Sequence, residues 1–146
     1  QIVMLLILDA SLIVSFLISD GESYARDIIS LAHKNKVQLI ATDETFDELR
    51  EALKASRIKK LTSYKPAKIG SFIAWYQHAA QFISVPKEEH PSITSRDPKD
   101  TIYLLISELS NADFLITVDK DLLILKKVGQ THIVTPESFM KKQKTI

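Results

Sequence analysis

Short apolar runs alternate with amphipathic helical segments along the 146 residues, and this alternation constrains the fold more than any other feature. Residues 2–8 are apolar throughout, as expected of a strand that is covered on both faces. Further strands are predicted at 37–41, 82–85, 113–118 and 133–134. The pattern predicts an α/β fold in which a central parallel sheet of about four to five strands is flanked by helices on both faces.

The helices are predicted from apolar spacing and from residues that favour helix ends. Two are expected between the first two strands, at about 12–17 and 22–34, and a third begins at Thr42 or Asp43 and ends near residue 55. Later helices are expected at 57–61, from 66 onward, at 98–110, at 119–125 and at 136–142.

Composition limits the domain organisation and the chemistry. With 45% apolar and 25% charged residues, we expect residues 1–146 to form a single domain with a continuous core. The absence of cysteine excludes disulfides and thiolate zinc sites and suits a cytoplasmic location. The first apolar run meets Asp9 well short of a membrane span and follows no basic segment, so we expect neither a signal peptide nor a membrane partner.

Four acidic residues lie where a predicted strand passes into a helix, or one turn inside that helix. They are Asp9, Glu48, Asp100 and Asp119. Because the carboxyl ends of parallel strands share one edge of a sheet, these carboxylates would repel one another unless they shared a cation. Oxygen ligands of this kind favour a hard divalent ion, Mg²⁺ or Mn²⁺.

Each acid also has a structural interpretation. Asp9 could cap a helix, Asp100 could complement a helix dipole, and Asp97 before a proline is a common turn residue. Of Asp119 and Asp121, one could bind a metal while the other caps the next helix, and we assign the ligand role to Asp119 because it is nearer the strand end.

Glu48 is the least expected of the four, because a glutamate in mid-helix is usually solvated. On a helical wheel it lies beyond the edge of the charged arc, beside Thr45, Ala52 and Ala55. These small neighbours would leave room for a ligand.

Positive charge is concentrated between Ala52 and Lys87, where the chain has no acidic residue. Seven lysines and arginines fall in this stretch, which could attract phosphate groups. An ordinary solvated surface is the alternative interpretation.

Five segments together resemble the PIN domain family of metal-dependent ribonucleases, over nearly the whole chain. They are residues 8–15 (LDASLIVS), 42–53 (TDETFDELREAL), 96–100 (RDPKD), 115–122 (LITVDKDL) and 133–139 (IVTPESF). The family often has Asn at the position of Ser11 and further acids at the positions of Lys99 and Thr101, so the chain departs from the family pattern there.

The resemblance implies an Mg²⁺- or Mn²⁺-dependent endoribonuclease that hydrolyses RNA phosphodiester bonds. Asp9 and Asp119 would hold the cation, and Glu48 and Asp100 would complete the shell or orient water. The supporting residues would be Ser11, Asp97, Thr117 and Asp121. The expected contacts with the RNA backbone are Arg57, Lys59 and Lys60.

Many members of this subgroup resemble toxins of toxin–antitoxin pairs, which implies an antitoxin protein as a partner. A homodimer is a further expectation. The main alternative is a catalytically silent PIN-like domain that binds RNA or protein. A metal-dependent phosphatase is less favoured, because Ser11 occupies the place of the second aspartate that a dehalogenase-like phosphatase needs.

Overall fold

The computed structural model describes residues 3–143. The first half contains β1 (Met4–Leu8), α1 (Ala10–Ile18), α2 (Tyr24–His33), β2 (Val37–Ala41), α3 (Asp43–Leu53), α4 (Ser56–Lys59), α5 (Pro66–Ala79) and β3 (Gln81–Phe82). After a long loop come a 3-10 turn (Pro98–Asp100), α6 (Thr101–Ser110), β4 (Phe114–Ile116), α7 (Lys120–Leu123), β5 (Lys127–Val128), β6 (Thr131–Val134) and α8 (Pro136–Gln143).

The strands form one sheet in the order β3-β2-β1-β4-β6-β5. All neighbouring pairs are parallel except β5 and β6, which are antiparallel. This arrangement confirms the predicted α/β class and the mainly parallel sheet. Strand β5 was not predicted, because two residues are too few to produce an apolar pattern.

Several predicted boundaries were wrong; the strand predicted at 113–118, for example, spans only Phe114–Ile116. The strand predicted at 82–85 spans Gln81–Phe82, because its partner β2 ends at Ala41, whose carbonyl accepts a hydrogen bond from the Ile83 N–H at 2.9 Å. The helix predicted at 98–110 is divided into a 3-10 turn and α6. The predicted start of the first strand at Ile2 lies outside the described residues.

The core lies on both faces of the sheet. Side chains of β1 alternate, so Leu6 and Leu8 pack with α1, α2, α3, α5 and α8, whereas Ile7 packs with α6 and α7. The uniformly apolar composition of β1 follows from this double burial. Within residues 3–143, no helix has the length and apolar character that crossing a membrane requires.

The helix ends place the polar residues that follow the strands. Thr42, rather than Asp43, caps α3: its hydroxyl accepts a hydrogen bond from the Thr45 N–H at 3.1 Å, and the Thr45 hydroxyl oxygen accepts one from the Thr42 N–H at 3.0 Å. This reciprocal arrangement satisfies two donors that the first helical turn leaves free. It starts α3 directly at the carboxyl end of β2.

The order of the strands creates a crevice at one edge of the sheet. The chain passes outward from β1 to β2 and β3 and then returns to the other side of β1 as β4. In open α/β sheets, ligands bind outside the carboxyl ends of the strands at such a reversal. Asp9 follows β1 and Asp119 follows β4 at this position.

Candidate functional site

Asp9 is buried and is held from two directions. Its Oδ1 accepts a hydrogen bond from the Ser11 N–H at 3.1 Å, which caps α1, and its Oδ2 accepts one from the Thr117 hydroxyl at 2.7 Å. Its own N–H donates to the Ile116 carbonyl at 3.1 Å. The carboxylate is therefore fixed both by its helix and by the neighbouring strand β4.

Thr117 connects Asp9 to Asp119. The fully buried Thr117 hydroxyl donates to Asp9 and accepts a hydrogen bond from the Asp119 N–H at 3.0 Å. Asp119 Oδ1 accepts from the Asp121 N–H at 2.9 Å and caps α7. Asp119, not Asp121, is therefore the capping residue, because α7 begins at Lys120, directly after Asp119.

Asp100 is buried, with 5% of its surface exposed, at the junction of the 3-10 turn and α6. Its side chain caps neither element, and its carboxylate accepts a hydrogen bond from the Ser95 hydroxyl at 2.8 Å. Burial, together with the charge of Asp119, raises the Asp100 pKa to about 6. Helix capping therefore does not account for Asp100.

Asp97 has the structural role that its place before a proline suggests. Its Oδ1 accepts a hydrogen bond from the Lys99 N–H at 3.0 Å and caps the 3-10 turn. Its N–H donates to the Ser95 hydroxyl oxygen at 3.3 Å, so one serine contacts both Asp97 and Asp100. Ser95 was missed from the sequence, because a serine in an irregular loop carries no pattern.

Glu48 is exposed, yet one buried side chain holds its carboxylate. The Tyr103 hydroxyl donates to Glu48 Oε1 at 2.6 Å and accepts a hydrogen bond from the Ala10 N–H at 3.0 Å. Burial and the nearby charges of Asp9 and Glu48 raise the Tyr103 pKa far above its usual range, so this hydroxyl stays protonated and remains a donor.

Tyr103 is the main site residue that the sequence did not reveal. It lies in the buried stripe of α6, where its neighbours are apolar and packing explains its presence. The available signal is chemical, because a buried tyrosine hydroxyl usually needs a hydrogen-bond partner. Nothing in the local sequence identifies that partner, which lies 55 residues away.

The remaining predicted residues are peripheral to these contacts. Ser11 is exposed and contributes its backbone N–H, while its hydroxyl makes no hydrogen bond within residues 3–143. Arg57, Lys59 and Lys60 are exposed on or directly after α4, which the buried Ile58 anchors to the core. The three basic side chains form no ion pair with any described residue.

The donor chemistry of the edge fits a hard divalent cation, because the candidate ligands are carboxylate oxygens. Their placement is open rather than cage-like. Among residues 3–143, no three aspartate, glutamate or histidine side chains are gathered closely enough to hold an ion. Instead, Thr117 links Asp9 to Asp119 through hydrogen bonds, and Asp100 lies near enough to Asp119 for that charge to contribute to its raised pKa.

A parallel sheet with carboxylates at its reversal point defines an α/β protein with an acidic edge site. A family model described as PIN domain matches residues 6–121, and the chain therefore belongs to the PIN domain family. PIN domains are generally nucleases, so the chain has a nuclease-like fold whose expected substrate class is nucleic acid. No curated protein and no solved structure shows significant similarity to the chain.

Proposed function

We propose that this protein is a divalent-metal-dependent endoribonuclease. Its active site would be the acidic edge, which is the edge of the sheet that carries Asp9, Glu48, Asp100 and Asp119. The observation that carries the proposal is Asp100, a buried carboxyl group that caps no helix and lies beside the Asp119 carboxylate. Burying like charges together is costly, and a functional ligand site is the usual reason for it. Membership of the PIN domain family supports the same reaction class.

Asp9 and Asp119 would hold Mg²⁺ or Mn²⁺, and Glu48 and Asp100 would complete the shell or orient the attacking water. The bound cation would neutralise developing charge on the phosphate and lower the pKa of a water molecule. Thr117 would set the spacing of Asp9 and Asp119, and Tyr103 would hold Glu48 in place. Loss of a proton from Asp100 would accompany cation binding.

RNA is proposed over DNA on the resemblance of the five sequence segments to PIN-type ribonucleases. Arg57, Lys59 and Lys60 would add contacts to the RNA backbone, because they are exposed and form no ion pair within the described part of the chain.

A cleavage assay on single-stranded RNA tests the nuclease proposal. The wild type should cleave with Mg²⁺ or Mn²⁺ and stop when EDTA is added, and Asp119→Asn should abolish cleavage. Asp113→Asn is the matched control, because Asp113 lies before β4, at the opposite end of that strand, and Asn keeps an acceptor for the Leu5 N–H. Cleavage that persists in EDTA would refute a metal-dependent mechanism. A wild type that binds RNA without cleaving it would support the catalytically silent alternative.

We further propose that the protein is the toxin of a toxin–antitoxin pair and that its partner covers the acidic edge. Two large apolar residues beside that edge support a protein contact: Val118 is 54% exposed and Ile124 is 71% exposed, on either side of α7. The partner would offer an arginine to the carboxylates.

Expression in a bacterial host tests the toxin proposal. The chain alone should slow growth, Asp9→Asn should remove the effect, and the adjacent small gene should restore growth when it is co-expressed. The same exposed apolar residues could also join two copies, so we expect a homodimer that Val118→Asp weakens in sedimentation measurements. Harmless expression of a protein that cleaves RNA in vitro would refute the toxin role and leave the nuclease role intact.

A further inference from the structure

A cavity of about 360 Å³ opens beside Glu48, between α3, the loop after β3 and the start of α6. This volume lies within the range of small-molecule sites, about 300–1,000 Å³. Since Glu48 is one of its lining residues, the cavity adjoins the acidic edge. Any ligand in it would lie next to the proposed reaction site.

The lining combines positive charge with an apolar wall. Lys87 and Lys99 are exposed, and neither ammonium group forms an ion pair within residues 3–143. Val85 and Ile102 are half-buried and supply apolar surface between them. A ligand that satisfies both features carries anionic groups and a flat, largely apolar ring.

Acidic residues in the lining restrict the ligand further. Glu44 and Glu48 line the cavity on the side of α3 and Glu89 lines it on the side of the loop, and these carboxylates can only accept hydrogen bonds when ionised. A free phosphate or a simple acidic peptide would meet repulsion there. A nucleotide avoids this conflict, because its phosphates can face the lysines while an amino group of its base faces one of the carboxylates.

We propose that this cavity binds one nucleotide of single-stranded RNA next to the phosphodiester that the acidic edge hydrolyses, an inference that rests on the proposed function. Lys87 and Lys99 contact the flanking phosphates, and the base enters against Val85 and Ile102. A single strand is required, because bases in a duplex stay stacked and cannot enter a pocket. Cytosine is favoured over uracil, since its amino group donates to Glu44.

Binding is measured by fluorescence anisotropy with a labelled single-stranded RNA of eight nucleotides in EDTA, over a range of salt concentrations. Lys87→Glu/Lys99→Glu should weaken binding at least tenfold and reduce the salt slope by about 1.4, since each single-strand phosphate contact contributes about 0.7. The control is Lys34→Glu/Lys36→Glu, which changes the net charge by the same amount. Both residues lie before β2, at the amino ends of the strands. The control should stay within twofold of wild type.

Equal losses of RNA affinity in the two double variants would show a non-specific charge effect and overturn the inference. Unchanged RNA affinity in Lys87→Glu/Lys99→Glu would also overturn it. If the Lys87→Glu/Lys99→Glu variant binds RNA as the wild type does but binds a purified antitoxin more weakly, the cavity belongs to the protein partner and the inference is overturned. Cytidine-rich RNA should bind more tightly than uridine-rich RNA, and Glu44→Gln should remove the difference. Equal binding of the two by the wild type would contradict entry of the base.

This experiment separates the two proposals. A wild type that cleaves RNA, with binding that does not depend on Lys87 and Lys99, would overturn only the cavity assignment. A wild type that never cleaves, but binds RNA through these lysines, would overturn only the nuclease assignment.

Discussion

Asp9 and Glu48 reach the same edge of the sheet by different physical means. Asp9 is buried and is held by the Ser11 N–H two residues away and by Thr117 on the adjacent strand. Glu48 is exposed on the second turn of α3, and a single hydroxyl, from Tyr103, holds it. Asp9 is fixed at the point where β1 ends, whereas Glu48 is held by a hydrogen bond from Tyr103 on α6.

The difference predicts which of the two tolerates change. The position of Asp9 depends on backbone that the sheet itself fixes, so removal of its charge should affect chemistry more than geometry. The position of Glu48 depends on one hydrogen bond, so removal of a neighbouring hydroxyl should release it. The predictions below test this contrast, from the largest expected effect to the smallest.

The largest effect is expected for Asp9→Asn, which keeps one acceptor oxygen but removes the charge. RNA cleavage should fall by more than about 100-fold, beyond the range typical of residues that only support a metal ligand. The fold should persist, because the change relieves repulsion among the acids. Cleavage rates and circular dichroism check both parts, and activity close to that of the wild type would remove Asp9 from the proposed site.

Tyr103→Phe tests the hydrogen bond that holds Glu48, because it removes the hydroxyl and keeps the ring. We expect cleavage and Mn²⁺ affinity each to fall about 10- to 100-fold, as is typical when a supporting hydrogen bond is lost. The Glu48 side chain should also become mobile in NMR relaxation measurements, which report on this hydrogen bond without any metal.

Tyr76→Phe is the control for this prediction, because Tyr76 is also a buried tyrosine and its hydroxyl makes no hydrogen bond within the described residues. It should leave Mn²⁺ affinity and Glu48 mobility unchanged. An unchanged Glu48 in the Tyr103→Phe variant would show that some other contact holds this carboxylate.

Thr117→Val tests the hydrogen bond that holds Asp9 from the neighbouring strand. It should lower the free energy of unfolding by about 1.5–3 kcal/mol, because the lost hydrogen bond goes to a charged group. Thr131→Val is the control: Thr131 is equally buried, but its hydroxyl donates to the Ala112 carbonyl, so the expected loss is about 0.5–1.5 kcal/mol. Urea unfolding measures both losses of stability. Equal losses would show that the charge of Asp9 does not strengthen its hydrogen bond with Thr117.

The smallest effect concerns the pH dependence of the metal-free protein. The Asp100 pKa is raised from 3.8 to about 6 on folding, so the native state binds a proton more tightly than the unfolded chain. Stability from this group is therefore fully present below pH 3.8 and is lost as the pH rises to about 6. Asp100→Asn should remove this decline in urea unfolding series in EDTA, whereas Asp113→Asn should retain it. An identical pH profile for Asp100→Asn and the wild type would contradict the proposed crowding of Asp100 and Asp119.

The strands and the acids at their ends were predictable from the sequence because their signals are local. Double burial makes β1 apolar at every position, and Asp9, Asp97 and Asp119 each accept a hydrogen bond from a backbone N–H two residues later. A local hydrogen bond of this kind appears in the sequence as an acid before a helix. The same locality made capping and metal binding impossible to distinguish for Asp9 and Asp119.

Contacts within irregular loops and contacts between distant segments were not predictable in the same way. Ser95 to Asp100 crosses a loop without periodicity, and β5 is too short to produce a pattern. The cavity beside Glu48 is assembled from a helix, a loop and a turn that are separated along the chain. No local rule links these segments, because the packing of α6 against the sheet decides which of them meet.

The sequence by itself therefore determined the α/β class, the family and the edge at which the acids collect, since apolar periodicity and helix caps depend on near neighbours. Only the tertiary structure decided that Asp100 is buried beside Asp119 and that Tyr103 connects Glu48 to the start of α1. The physical reason is that burial and charge proximity are properties of packed elements, and residues on separate elements acquire them only when the sheet is complete.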